Sequence, residues 1–178
     1  MRYFSYLNTY IYIYMASLTL RTKGVDFKKD DEYMTPAYAL QDIAHLIPTD
    51  KVIWEPFYGD GKSGEYLKEL GFNVEHHKID FYDDPTFDYD ILISNPPYSG
   101  KPKVFKRLRE INKPFMMLLP VSTITKIFLK TYFKDEIQIV IPKKRIQFVK
   151  NGEQTDRCWF DTLWICYDMN FDKDITFL

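Results

Sequence analysis

Cysteine is nearly missing from these 178 residues: only Cys158 and Cys166 occur, both in apolar, strand-like sequence. With no Cys-x-x-Cys pair and no Cys/His cluster, neither a tetrahedral zinc site nor a disulfide framework is expected, and the chain reads as an intracellular protein kept reduced. Histidine is almost as scarce. His45 stands alone, and the adjacent His76 and His77 would point to opposite sides of a strand, which suits no single metal ion. No metal is therefore expected. Nor is there an uninterrupted apolar run of about 20 residues, so no membrane span is expected. The Tyr- and Ile-rich stretch from Met1 to Tyr14 also lacks the ordered basic, apolar and small-residue segments of a signal peptide. Charge of one sign is missing too: the formal net charge is -1, so any nucleic-acid partner must be held by local basic patches.

What is there describes a globular chain. Hydrophobic residues make up 46% and charged residues 28%, enough for a soluble domain with a real core. Aromatics reach 17%; such rings can stack on bases, although most will fill core. Met15-Ala16-Ser17-Leu18-Thr19 resembles a start of translation. Residues 1–20 are accordingly expected to be an extension, able to add an edge strand, and residues 21–178 one catalytic domain.

Strand-like and helix-like runs alternate along that domain. Helical spacing covers Pro36 to Leu46, Ser63 to Leu70, Pro102 to Ile111 and Ile124 to Tyr132. Strands are predicted at Val52 to Trp54, Phe72 to Ile79, Tyr89 to Ser94 and Phe115 to Leu119. Ile137 to Ile141 and Cys158 to Tyr167 form a terminal antiparallel pair, joined by a loop carrying Lys143, Lys144, Arg145 and Lys150. The pattern predicts an α/β fold with a mostly parallel sheet and crossover helices. Such sheets bind ligands at the carboxyl ends of their strands, where the unusual residue clusters of this chain fall.

Glycine is sparse, at seven, yet three of the seven stand at 59, 61 and 64, in Gly59-Asp60-Gly61-Lys62-Ser63-Gly64. Glycines there allow a tight turn and a close backbone approach to a ligand. Alone, this G-x-G-x-x-G also fits dinucleotide binding, with Asp80 about twenty residues on, or a plain strand-to-helix turn. A phosphate loop would need glycine where Pro56 stands. A second cluster narrows the choice. The strand Tyr89 to Ser94 ends in Asn95-Pro96-Pro97-Tyr98. The prolines fix φ and remove two donors, leaving a rigid stub that presents carbonyls. Asn95 adds an acceptor and Tyr98 a flat face, a set suited to an exocyclic amine on a planar ring.

In these motifs the chain resembles the class I S-adenosylmethionine-dependent adenine-N6 methyltransferases, with their Asp/Asn-Pro-Pro-Tyr/Phe motif. The resemblance runs from about Asp31 to Tyr167. It implies a single Rossmann-like methyltransferase domain with a mostly parallel, seven-stranded twisted sheet, a C-terminal antiparallel pair and helices on both faces. It further implies S-adenosylmethionine as cofactor. Tyr33, Thr35 and Pro36 fall in the family's segment before the first helix; Glu55, Pro56, Phe57, Gly59 and Gly61 fall in its cofactor loop. Asp80 and Phe81 match the pair that contacts the cofactor adenine, and Asn95, Pro96, Pro97 and Tyr98 the catalytic motif. Lys144 to Phe148 and Phe160 to Tyr167 look like its last strands. Small phage and large-virus members share this compact shape. One departure is plain: the family's acid that grips the cofactor ribose aligns with His77 or Lys78, and Glu75 is the nearest acid upstream.

The implied reaction is direct methyl transfer to adenine N6. Asn95 and the Pro96 carbonyl would accept from the amine, and Tyr98 would stack on a flipped base. DNA is the expected polymer, contacted through Lys143, Lys144, Arg145 and Lys150; the basic helix with Lys101, Lys103, Lys106, Arg107 and Arg109 reads equally as a solvated face. No block is large enough for a separate target-recognition domain, so specificity is limited, carried by the loop at 142–157 or supplied by a partner subunit. Adenine in RNA, a protein glutamine amide, a nicotinamide-dependent oxidation and a non-catalytic cofactor-binding subunit stay open as alternatives.

Overall fold

The computed structural model describes residues 33–150, 153–154 and 160–178. The expected extension at 1–20 and the residue Cys158 lie outside the described residues. A seven-stranded sheet organises the rest. Its strands are β1 (Val52–Trp54), β2 (Asn73–Glu75), β3 (Ile91–Ser94), β4 (Phe115–Pro120), β5 (Ile137–Ile141), β8 (Thr162–Tyr167) and β9 (Ile175–Phe177), in the spatial order β2-β1-β3-β4-β8-β5-β9. The short strands β6 (Val149–Lys150) and β7 (Glu153–Gln154) form a separate antiparallel ribbon. Among the described residues, four α-helices accompany them: α1 (Ala37–Ile43), α2 (Lys62–Glu69), α3 (Lys101–Ile111) and α4 (Ile127–Phe133).

Continuous apolar runs make the centre. Every residue of β3, β4 and β8 is buried, the pattern of strands covered on both faces. Trp54, Trp164, Phe105, Phe115 and Phe133 are among the largest fully buried side chains. Burying each such ring removes a large apolar area from water and stabilises by roughly 1.5–3 kcal/mol. β1 pairs in parallel with both β2 and β3, and β3 in parallel with β4. β8 is antiparallel to both of its neighbours, β4 and β5, so the predicted C-terminal pair is present, with β8 inserted between β4 and β5.

The chain leaves β1 toward β2 in one direction and leaves β3 toward β4 in the other. Right-handed crossovers therefore place α2 and α3 on opposite faces of the sheet. Their contacts agree: α2 packs with α1, and α3 with α4. The reversal lies between β1 and β3, and a crevice opens outside their carboxyl ends. The fold is thus the expected Rossmann-like α/β architecture with a mostly parallel sheet.

Besides the unexpected β6–β7 ribbon and the segment Lys144 to Phe148, which was expected as a strand and forms none, three elements differ from expectation. The strand predicted over Phe72 to Ile79 stops at Glu75, because His76 turns inward to Glu55 and His77 folds back to Glu75, with Nε2 2.6 Å from Oε2. The helix predicted from Ile124 is split into a 3-10 turn, Val121–Thr125, and α4. The third, β9, pairs in parallel with β5 at the sheet edge and has no counterpart in the sequence reading. Among the described residues, no helix is long and apolar enough to cross a membrane.

Candidate active site

The crevice at the ends of β1 and β3 holds a cavity of about 390 Å³, within the usual range for a small-molecule site. Eight of the residues expected to hold a cofactor line it: Tyr33, Thr35, Glu55, Pro56, Phe57, Gly59, Asp80 and Phe81. Asn95 and Pro97 of the expected catalytic motif line it as well. Pro36, Gly61, Pro96 and Tyr98 do not. Pro36 is the N-cap of α1, and Gly61 is the N-cap of α2, where φ of +87° requires a residue without Cβ. Sequence reasoning missed Met34, Tyr58, Asp60, Ser63, Ile79 and Tyr82 as lining residues. All six lie inside or beside the motifs already singled out, so proximity along the chain was the available signal.

The turn after β1 is built for close approach. Gly59 has φ of +54°, and a Cβ there would lie 2.9 Å from Met34 Sδ. The Gly61 amide donates to the Tyr58 carbonyl at 2.8 Å, closing the turn. Asp60 Oδ1 accepts from the Lys62 amide at the start of α2. Phe81 is buried beneath the cavity, its ring 4.8 Å from that of Phe57. Asp80 accepts from the Tyr82 amide at 2.9 Å. Burial, and then the charge of Asp80, raise the Tyr82 phenol above its ordinary pKa.

Asn95 is held from behind. Its Nδ2 donates to the Tyr33 carbonyl at 2.6 Å. A carbonyl only accepts, which fixes the amide orientation. Oδ1 is left as a buried acceptor with no hydrogen-bond partner among the described residues, on a side chain that lines the cavity. The strip that supplies this carbonyl is itself anchored: Met34 and Val149 exchange two backbone hydrogen bonds of 2.9 Å.

Tyr98 sits behind the cavity, only 4% exposed. Its ring lies 6.0 Å from that of Tyr33, near-parallel at 21°, with Phe148 and Phe160 edge-on. Two stacking intervals would need slightly more room, so a planar guest against Tyr98 requires this aromatic box to widen. Lys101 donates to the Tyr98 carbonyl at 2.6 Å.

None of Glu75, His77 and Lys78 lines the main cavity. Glu75 ends β2 and is engaged by His77, so the acids facing the cavity are Glu55, Asp60 and Asp80. The four basic residues expected to meet nucleic acid also lie outside the cavity. Arg145 makes a two-pronged pair with Asp161 at 2.6 and 3.0 Å, and Lys143 stands 3.7 Å from Asp42. Lys144 lies over the Tyr38 ring, and Lys150 over the Tyr33 ring at 5.7 Å.

No family model matches the sequence, and no curated protein matches it. Solved structures of similar chain path exist. A dimethyladenosine transferase of Plasmodium falciparum is 13% identical with a TM-score of 0.48, over 76% of this chain and 62% of that one. A proposed RNA methyltransferase of Pyrococcus horikoshii is 14% identical with a TM-score of 0.43, over 75% and 84%. A precorrin-6y C5,15-methyltransferase of Geobacter metallireducens is 12% identical with a TM-score of 0.42, over 77% and 92%. The chain spans less than two thirds of the length of the Plasmodium protein. At these identities, function has to come from the residues of the cavity.

Proposed function

We propose that this chain is an S-adenosylmethionine-dependent methyltransferase acting on the exocyclic N6 amine of adenine in DNA. The observation that carries the proposal is Asn95: an amide locked by the Tyr33 carbonyl, with its acceptor oxygen buried and unpartnered in a cavity of cofactor size. A buried acceptor without a partner is costly, roughly 1–3 kcal/mol, and a donor on a ligand relieves that cost.

The cavity fits the cofactor on its own chemistry. A second lining residue, Glu55, carries a buried carboxylate, 1% exposed, that suits a cationic ligand. Gly59 keeps the loop open to a ligand, and Phe57 and Phe81 supply apolar contact beside Asp80 and Asp60. When bound, S-adenosylmethionine supplies an electrophilic methyl group on a positively charged sulfur.

The chain's part in transfer is orientation. Asn95 Oδ1 accepts a hydrogen bond from the target amine, which draws the nitrogen lone pair out of ring conjugation and toward the methyl donor; the proton the nitrogen sheds on methylation passes to solvent. Because Tyr33 holds the amide in advance, little reorganisation is needed as charge develops on the nitrogen. The rigid proline pair, of which Pro96 is buried, and the strand end keep that oxygen in place. Tyr98 offers the stacking face once the box formed with Tyr33, Phe148 and Phe160 widens around the base, which offsets part of the unstacking cost of a few kcal/mol. Lys150, over the Tyr33 ring of that box, and Lys144, over the Tyr38 ring, are the proposed phosphate contacts.

Transfer of tritiated methyl groups from S-adenosylmethionine to DNA, RNA and protein tests the proposal. Label on adenine N6 of DNA is expected. Label only on RNA, or on a glutamine amide, would keep the Asn95 chemistry and replace the substrate. A second reading, a cofactor-binding subunit without turnover, draws on the engagement of Glu75 by His77 away from the cavity. It predicts cofactor binding with no label on any polymer.

A further inference from the structure

His76 and Gly64 take no part in the chemistry above, yet they are built around one of its residues. Glu55 is 1% exposed and the side chain of His76 is 5% exposed. His76 Nε2 approaches Glu55 Oε2 to 2.7 Å, although neither atom makes an aligned hydrogen bond. The other Glu55 oxygen accepts from the hydroxyl of Ser94, which immediately precedes Asn95. Tyr58, a lining residue, stacks on the outer face of the imidazole, 4.6 Å away and 15° from parallel. The imidazole is seated over Gly64: a Cβ at that position would lie 2.0 Å from His76 Nδ1. The last glycine of the G-x-G-x-x-G run thus makes room for a histidine side chain, which explains its place without a phosphate or a dinucleotide.

We infer that His76 is a positioning residue for the methyl donor: with Ser94 it clamps the Glu55 carboxylate from two sides and aims it into the cofactor cavity. The inference rests on the function proposed above. Its logic is geometric. Three strand ends meet at Glu55, one each from β1, β2 and β3, and the carboxylate is the atom group common to the cofactor loop and the catalytic motif. Without His76 the buried carboxylate would rotate within its pocket or draw in water, and its charge would no longer be held at the cavity wall facing a bound cation. Asn95 would be untouched. Cofactor affinity should therefore suffer while the turnover of the saturated enzyme does not.

Calorimetric titration of S-adenosylmethionine, with steady-state methyl transfer, into the full chain and four variants tests this. His76→Ala and Gly64→Ala are each expected to weaken cofactor binding about tenfold, the loss of one well-placed contact to a buried charge. His76→Gln, which returns an N–H donor to the site, should bind within about threefold of the parent chain. Gly64→Ala added to His76→Ala should cost nothing further, since the side chain it would strike is gone; a helix position otherwise prefers alanine. At saturating cofactor, His76→Ala should keep kcat within about threefold, the split that a general loss of structure would not give. Unchanged affinity in His76→Ala overturns the inference, as does a Gly64→Ala effect that persists in full without His76. If His76→Ala does not fold, failure of His76→Gln to bind better than Gly64→Ala overturns it instead. A parent chain that binds no S-adenosylmethionine sinks the proposed function and this inference with it, whereas a parent that binds while His76→Ala binds equally well sinks the inference alone.

Discussion

At the scale of single residues, the behaviour of this protein turns on the unpartnered acceptor of Asn95 and on a thiol that is shut away. Asn95→Ala removes the acceptor but leaves the Tyr33 strip and the cavity walls standing. Turnover should fall by about 10²-fold or more, the size seen when one preorganised polar group is removed from a reacting centre. Calorimetry should find S-adenosylmethionine affinity nearly unchanged, and a matching loss of affinity would refute this division of labour. Cys166 is buried in β8, and burial pushes its thiol well above the ordinary range. In a Cys158→Ser chain it is the only thiol. It should resist iodoacetamide at about pH 8 while folded and react once urea unfolds the chain. The linked sign follows: above the ordinary thiol pKa the unfolded chain releases a proton that the folded chain keeps, so stability falls as pH rises. Tyr82 and Tyr89, both raised by burial, extend that fall through the phenol range. Urea midpoints measured across the alkaline range should decline; a flat profile would contradict it.

At the scale of elements, β1 with its glycine turn and the Tyr33–Thr35 strip decide the shape of the cavity. Gly59→Ala meets both a left-handed φ and Met34 Sδ. The backbone term alone costs roughly 1–2 kcal/mol, and the Met34 thioether can bend aside. A thermal midpoint lower by a few degrees with weakened cofactor binding is expected; an unchanged affinity would place the loop away from the ligand. Val149→Pro deletes the amide that donates to the Met34 carbonyl, and the strip then loses half of its anchor to the β6–β7 ribbon. Turnover should drop as the Tyr33 carbonyl loosens its hold on Asn95, which single-turnover kinetics would detect.

These elements also show what was legible in the sequence. β3, β4 and β8 announced themselves as apolar runs, because strands buried on both faces need no polar alternation. The ends of β1 and β3 were marked by glycine and proline clusters, the residues that backbone geometry forces at such turns. The early stop of β2 was hidden, since His76 and His77 look like strand residues until Glu55 and Glu75 are seen to claim them. β9 was hidden for a different reason: Ile175, Thr176 and Phe177 form too short a run to show a period, and the strand exists only because β5 offers an edge. The Tyr33–Asn95 bond left no signal either. It joins a backbone carbonyl to a side chain 62 positions away, and no local pattern encodes such a contact.

At the scale of the whole molecule, a formal charge of -1 gives no general attraction to a polyanion, so nucleic-acid binding must come from a few local cations. Each phosphate neutralised on duplex DNA steepens the fall of log affinity with log salt by about 0.9, and on a single strand by about 0.7. The four basic residues of the 142–157 loop are not equivalent in this respect. Arg145 is already spent on a two-pronged pair with Asp161, and releasing it would forfeit those bonds. Lys144 leans on the Tyr38 ring through its charge, a weak hold of about 0.5–1 kcal/mol at exposed sites that a phosphate can displace. Lys150 also lies beside Tyr33, in the wall of the box where a base would enter. The Lys144→Ala/Lys150→Ala chain should therefore bind DNA more weakly, with a salt slope shallower by about one to two units, while Arg145→Ala changes the slope little. Fluorescence anisotropy over a salt series measures both. If Arg145→Ala flattens the slope and the double lysine variant does not, the polyanion is held at the Arg145–Asp161 pair and not at Lys144 and Lys150, and the base-entry route past Lys150 and Tyr33 would have to be abandoned.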